Sequence, residues 1–170
     1  MGATCALYNR LEGDILHAVC GWNTTADFME MNPAAGHICH AVIRSREEKV
    51  TVIRNLQESD YAKSDPNIAR YGLNTYVGKP VSFGGSCTGS LCVGSLDDWV
   101  PEEEDKKLLG IIASAIGVEE ERMRVVEALR KSDATPRSIT SSTRDAIMMI
   151  DQEGKISFWN EAAVKIFGWE

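Results

Sequence analysis

At 170 residues, with 44% apolar and 25% charged residues, the chain is long enough to bury one good core with something smaller beside it. A formal net charge of −7, without a run of Lys or Arg longer than two, argues against a nucleic-acid-binding face. No window approaches the ~18 consecutive apolar residues of a membrane span, and MGATCALY lacks the basic start and apolar run of a secretory signal, so a cytoplasmic segment without membrane contact is expected.

Taken in chain order, Thr4–Tyr8 and Ile15–Trp22 are β-prone runs joined by Asn9–Asp14, whose Glu12-Gly13-Asp14 cluster forms a turn, so the chain opens on a hairpin. Thr24–Ala35 shows no clear period and reads as irregular, with one turn of helix at most. In Gly36–Arg46 the pairs Ile38/Val42 and Cys39/Ile43 stand at i, i+4 spacing, which predicts a helix. Val50–Ile53 is a short β-branched strand. In Asn55–Tyr71, Asp65 as N-cap and Pro66 at the first helical position open a short helix that Gly72 closes.

Two longer runs, Tyr76–Phe83 and Cys87–Leu96, flank Gly84-Gly85-Ser86 and predict a second hairpin. The second run is apolar without alternation, as expected of a central strand covered on both faces. Pro101 stands at an expected first helical position, and Glu102, Glu103, Glu104 and Asp105 load the first turn with charge that favours a helix N-terminus. The succession GSLCVGSLDD, PEEED and KLLGIIASAIGVEEER resembles the C-terminal half of a GAF domain, a sensory module of signalling proteins. The resemblance implies an α+β fold: a central antiparallel sheet flanked by helices, of the profilin-like type shared with PAS domains, with a small-molecule pocket on one face and a long C-terminal signalling helix. It also implies that the helix that usually precedes the first hairpin is missing.

Within the long helix Leu108, Ala115, Arg122 and Leu129 repeat every seven residues, as do Ile111, Val118 and Val125. The first half of the helix, where Leu109, Ile112 and Ile116 surround the seam, is expected to pack on its own sheet; the second half, Glu119–Lys131, carries a thin seam, and a homodimer contact is predicted through Ala115, Val118, Arg122, Val125 and Leu129. Asp133–Ser142 is polar and holds Pro136, so the helix is expected to stop before it. Beyond it, Ala146–Ile150 and Lys155–Trp159 form a hairpin around Asp151-Gln152-Glu153-Gly154, and Asn160 caps a further helix. The DxxG turn, the Trp159-Asn160 pair and the AA…FG helix resemble the opening of a PAS domain. A whole one needs about 100 residues, so this piece is too small to fill a core alone. The organisation expected is a GAF domain over 1–117, a signalling helix and linker over 118–136, and a PAS fragment over 137–170.

The candidate chemistry is sparse. Five cysteines, Cys5, Cys20, Cys39, Cys87 and Cys92, form no CxxC pair and read as small buried hydrophobes. His37 and His40 lie three apart on a helix, and a metal site there would need a third ligand from Cys87, Cys92 or His17, so no metal is expected. No phosphate loop, nucleophile elbow or other motif names a cofactor. The pocket candidates are Cys39, His40, Tyr61, Tyr71, Tyr76 and Cys87, the tyrosines supplying apolar walls with polar tips.

The resemblance implies a non-enzymatic sensor of a small molecule or redox signal. It would relay the signal through a dimeric helix to PAS and output domains, of the histidine kinase or diguanylate cyclase type, in a bacterial phosphorelay. One GAF subfamily, the free methionine sulfoxide reductases, works by cysteine chemistry, and Cys87 or Cys92 would be the thiol in that alternative. A ligand-free dimerisation module is a third.

Overall fold

The computed structural model describes residues 2–142, 144–151 and 153–168. The chain divides into two compact units, Met1–Glu121 and Arg122–Glu170. In the first, strands β1 (Cys5–Glu12), β2 (Ile15–Trp22), β3 (Met31–Pro33), β4 (Thr51–Ile53), β5 (Thr75–Phe83) and β6 (Ser86–Ser95) form one sheet in the order β3-β2-β1-β6-β5-β4. Every pairing in it is antiparallel. β6 lies between β1 and β5, the central place expected of its apolar run without clean alternation. Gly84 and Gly85 both take positive φ (56° and 74°), the conformation that a tight two-residue hairpin requires.

The alternation of β1, β5 and β6 builds two different faces. On one, Tyr8, Val77, Val81, Leu91 and Val93 pack against Leu109 and Ala113 of helix α3 (Glu103–Ser142). On the other, Tyr76 and Cys92 pack with Ile38 and Val42 of helix α1 (Ile38–Ser45), Leu56 from a 3₁₀ turn and Ile68 of helix α2 (Pro66–Tyr71). α2 begins and ends as its sequence predicts: the Asp65 side chain accepts from Asn67 N, Pro66 opens the helix, and Gly72 closes it in the left-handed conformation.

Helix α3 approaches β5 so closely that a Cβ on Gly117 would stand 2.3 Å from the Ser82 carbonyl oxygen, so only glycine fits there. Glu120, one turn on, accepts a 3.0 Å hydrogen bond from Tyr8 Oη and pairs with Arg10, which fixes the helix to β1.

Three details depart from the sequence expectation. Thr24–Ala35 contains the short strand β3, whose pairing to the edge of β2 no local period could signal. α3 begins at Glu103, not at Pro101. Glu102 takes the cap position, its carbonyl accepting from Lys106 N while its own N–H donates to Asp105 Oδ2, one half of a capping box. The helix also runs through Pro136 to Ser142. Proline removes one backbone bond and costs about 3 kcal/mol locally, but an established helix gains a bond with each residue added beyond it.

The second unit holds the hairpin β7 (Met148–Ile150) and β8 (Ile156–Trp159), followed by helix α4 (Glu161–Phe167). Its centre is Asn160, whose Oδ1 accepts from Ile147 N and Ala163 N while Nδ2 donates to Asp145 O. One buried amide thus caps α4 and ties it to the hairpin.

Candidate functional site

The face opposite α3 is not filled by side chains alone. A cavity of about 60 Å³ lies under α1 and α2, lined among others by Asn9, His37, Cys39, Asp65, Tyr76 and Cys92. A second cavity, of about 270 Å³, shares Cys5, Leu7, Phe28, Asn67 and Leu73 with it and reaches Thr24, Thr25 and Tyr71. The walls are apolar, with a few polar groups converging from different elements, the composition of a small-molecule site.

Two sulfurs form the floor of the smaller cavity. Cys39, in the first turn of α1, and Cys92, in the middle of β6, face each other with Sγ atoms 3.6 Å apart. Asn9 Nδ2 donates to both, at 3.4 Å to Cys39 and 3.8 Å to Cys92. Tyr76 Oη donates to Cys39 Sγ at 3.7 Å. The tyrosine ring lies along its own strand to reach the sulfur, and Gly78 makes room: a Cβ there would stand 2.3 Å from Tyr76 Oη.

The electrostatics of the two thiols diverge. The hydrogen bond from Cys92, aided by Ser90 and Tyr76, outweighs burial and brings Cys39 down to about 7. The same bond, with burial, holds Cys92 well above the usual thiol range. Burial likewise raises the Tyr76 hydroxyl, so it remains a donor. At neutral pH the arrangement is one thiolate-prone sulfur surrounded by protonated donors.

Beside them Asp65 and His37 make a buried pair, Oδ1 to Nδ1 3.1 Å. The carboxylate also accepts from Ile38 N and Asn67 N, both at 3.0 Å, so it stands at the starts of α1 and α2 together. The hydrogen bond to Asp65 raises the His37 imidazole. Burial opposes ionisation of Asp65, but His37 and the two backbone donors hold it below its ordinary value.

Of the six pocket candidates, Cys39 and Tyr76 line the smaller cavity and Tyr71 the larger. Tyr61 packs at the edge of the adjoining core cluster. His40 accepts from Arg44 Nε along α1, and Cys87 lies near the hairpin end of β6, paired with Ser82; neither lines these cavities. Among the described residues no group of three or more His, Cys, Asp or Glu is arranged to hold a metal ion. Asn9, His37, Asp65 and the partner role of Cys92 were not singled out from the sequence as pocket residues. A polar Asn inside a β-strand, two residues from apolar Leu7 on the same face, is the signal that could have found the first.

The family model for the GAF domain matches residues 1–119, which is most of the chain. The chain belongs to the GAF domain family. A model for the PAS fold matches residues 134–170. No curated protein matches the chain. Solved structures with the same fold include a type II free methionine-R-sulfoxide reductase from Thermoplasma acidophilum (14% identity, TM-score 0.56, covering 68% of this chain and 77% of that one). Others are residues 122 to 287 of a methyl-accepting chemotaxis protein (16%, 0.61, 75% and 83%) and the blue-light absorbing form of the Thermosynechococcus elongatus PixJ GAF domain (11%, 0.61, 76% and 81%). At these identities the likeness shows the fold alone. In this GAF domain the central antiparallel sheet has its cavity on one face and its long helix on the other, and among the described residues no helix is long and apolar enough to cross a membrane.

Proposed function

We propose that this GAF domain is the input module of a cytoplasmic signal-transduction protein, of the bacterial sensor histidine kinase type. A small molecule or redox signal enters at Cys39 and Tyr76, and helix α3, paired with that of a second copy, relays it to PAS and output domains. The observation that carries this reading is the stretch Tyr8-Asn9-Arg10. Asn9 touches both sulfurs on the cavity side, while Tyr8 and Arg10 hold Glu120 of α3 on the other. A change in the cavity that moves Asn9 therefore moves the residues that hold the helix.

The dimer part of the proposal draws on the seam. Leu109 and Ala113, on the sheet side of α3, are buried, whereas Leu108, Ile111, Val118, Val125 and Leu129 are 48–70% exposed. An apolar row turned away from its own core is what a second helix would cover. Native mass spectrometry of the chain, purified without added ligand, tests both parts. A dimer carrying extra mass is the expected result. A bare monomer that stays monomeric when small apolar ligands are added would remove the relay.

The adjacency of Cys39 and Cys92 favours a second reading, a thiol-dependent reductase acting on free methionine sulfoxide. Turnover of that substrate with dithiothreitol, abolished by thiol alkylation, would establish it over the sensor.

A further inference from the structure

From the geometry of the smaller cavity we infer that Cys39 and Cys92 are a two-cysteine redox centre that reduces a hydroperoxide and closes into a disulfide between α1 and β6. This deepens the sensor reading above by naming its redox input, and rests on it only for the consequence in α3.

Buried cysteines ordinarily serve as small hydrophobes among aliphatic neighbours. Here the surroundings differ. Asn9 is buried, and both hydrogen bonds of its Nδ2 go to sulfur, with Tyr76 Oη as a further donor to Cys39. Ser90 is fully buried two residues before Cys92; its hydroxyl makes no hydrogen bond and stands near enough to Cys39 to favour its thiolate. Spending several buried donors on a neutral sulfur leaves them poorly satisfied. A sulfur anion repays them. No other pair of the five cysteines makes such a contact among the hydrogen bonds of the described residues.

Size and geometry select the oxidant and the product. A cavity of about 60 Å³ admits a few water-sized groups, which suits hydrogen peroxide or a small alkyl hydroperoxide. The Cys39 thiolate attacks the peroxide oxygen: an S–O bond forms, the O–O bond breaks, and the departing oxygen takes up a proton and leaves as water or an alcohol. Cys39 is now a sulfenic acid, oxidised by two electrons. The Cys92 sulfur, giving up its proton, then attacks Cys39: the S–S bond forms, the S–O bond breaks, and water leaves. The balance is two thiols and one hydroperoxide to one disulfide, one water and one alcohol or second water. The sulfurs need approach by only about 1.5 Å to reach a disulfide bond length of roughly 2.05 Å. That closure draws α1 onto β6 beside Asn9.

The test treats the reduced full chain with hydrogen peroxide and maps its cysteines by mass spectrometry. A Cys39–Cys92 link formed within each chain is expected. Cys92→Ser should leave a dimedone-reactive sulfenic acid on Cys39, and Cys39→Ser should leave Cys92 reduced. Asn9→Leu should slow the oxidation on the order of tenfold by removing a donor to the thiolate. A Cys39 that remains fully alkylatable in the folded wild-type chain, at peroxide levels that oxidise the exposed Cys20, would overturn the proposal, and needs no variant to fold. Hydrogen exchange along α3, read on the same samples, separates the two claims. The link with unchanged α3 exchange keeps the redox centre and removes the relay. A peroxide-driven change in α3 without the link keeps the relay and removes the redox centre.

Discussion

The two faces of the six-stranded sheet are built from the same strands and differ in kind. Toward α3 the alternate residues are Val77, Val81, Leu91 and Val93, closed against Leu109 and Ala113 without a gap at Gly117. Toward α1 and α2 they are Asn9, Tyr76, Ser90 and Cys92, around open volume. The first face is where stability comes from, since apolar burial is the main favourable term. The second gives up some of that term to keep polar and sulfur groups facing one another, as functional sites do. The strands carry both at once because successive side chains alternate between faces.

The contrast predicts a graded series of effects. Leu109→Ala, on the closed face, should cost about 2–5 kcal/mol in urea denaturation, because the helix–sheet interface cannot collapse around the void. A loss under about 1 kcal/mol would show that face to be loosely packed. Asp65→Asn, on the open face, should cost about 1–3 kcal/mol by weakening a buried pair that also serves two helix starts.

The cost should depend on pH. The folded pKa of His37 is raised, so its share of the stabilisation is complete below about pH 6.5 and is lost as pH rises through the folded value. That of Asp65 is lowered, so its share is present above about pH 3.9 and is lost as pH falls through the folded value. The stability difference between wild type and Asp65→Asn should therefore be largest between roughly pH 4 and 6.5. Cys39, Cys92 and Tyr76 feel the Asp65 charge but titrate above that range; a difference that does not fall off on either side of it would mean that the pair does not titrate as a unit.

Smaller effects sharpen the link between the faces and the seam. Tyr8→Phe removes the hydroxyl that donates to Glu120 and should cost about 0.5–1.5 kcal/mol. Amide exchange should rise locally in the turns of α3 around Glu120, and an unchanged exchange pattern would mean that Arg10 alone holds the helix. Smallest in stability is Val118→Lys with Val125→Lys, expected within about 0.5 kcal/mol because both residues are exposed. Sedimentation should nevertheless show the dimer lost, and a dimer that survives would place its contact elsewhere than the seam.

What the sequence determined by itself is whatever is written locally. Apolar runs around Gly84-Gly85 specify a hairpin, Asp65-Pro66 and Gly72 bracket a helix, Asn160 caps another, and the order of motifs from GSLCVGSLDD to KLLGIIASAIG carries the family. The heptad count separated the two sides of α3 only in part: Leu109 and Ile116 reach the sheet as expected, but Ile112, expected with them, is 42% exposed. Local rules were weaker where a distant partner decides, as for β3, which exists only against β2.

The site belongs to the tertiary structure. Cys39 and Cys92 are 53 residues apart, and Asn9 lies 30 residues before the first of them. None carries a spacing signal toward the others. They meet because β1 and β6 are neighbours in the sheet and α1 packs across both, and that register, not any motif, sets one sulfur 3.6 Å from the other with an amide donating to each.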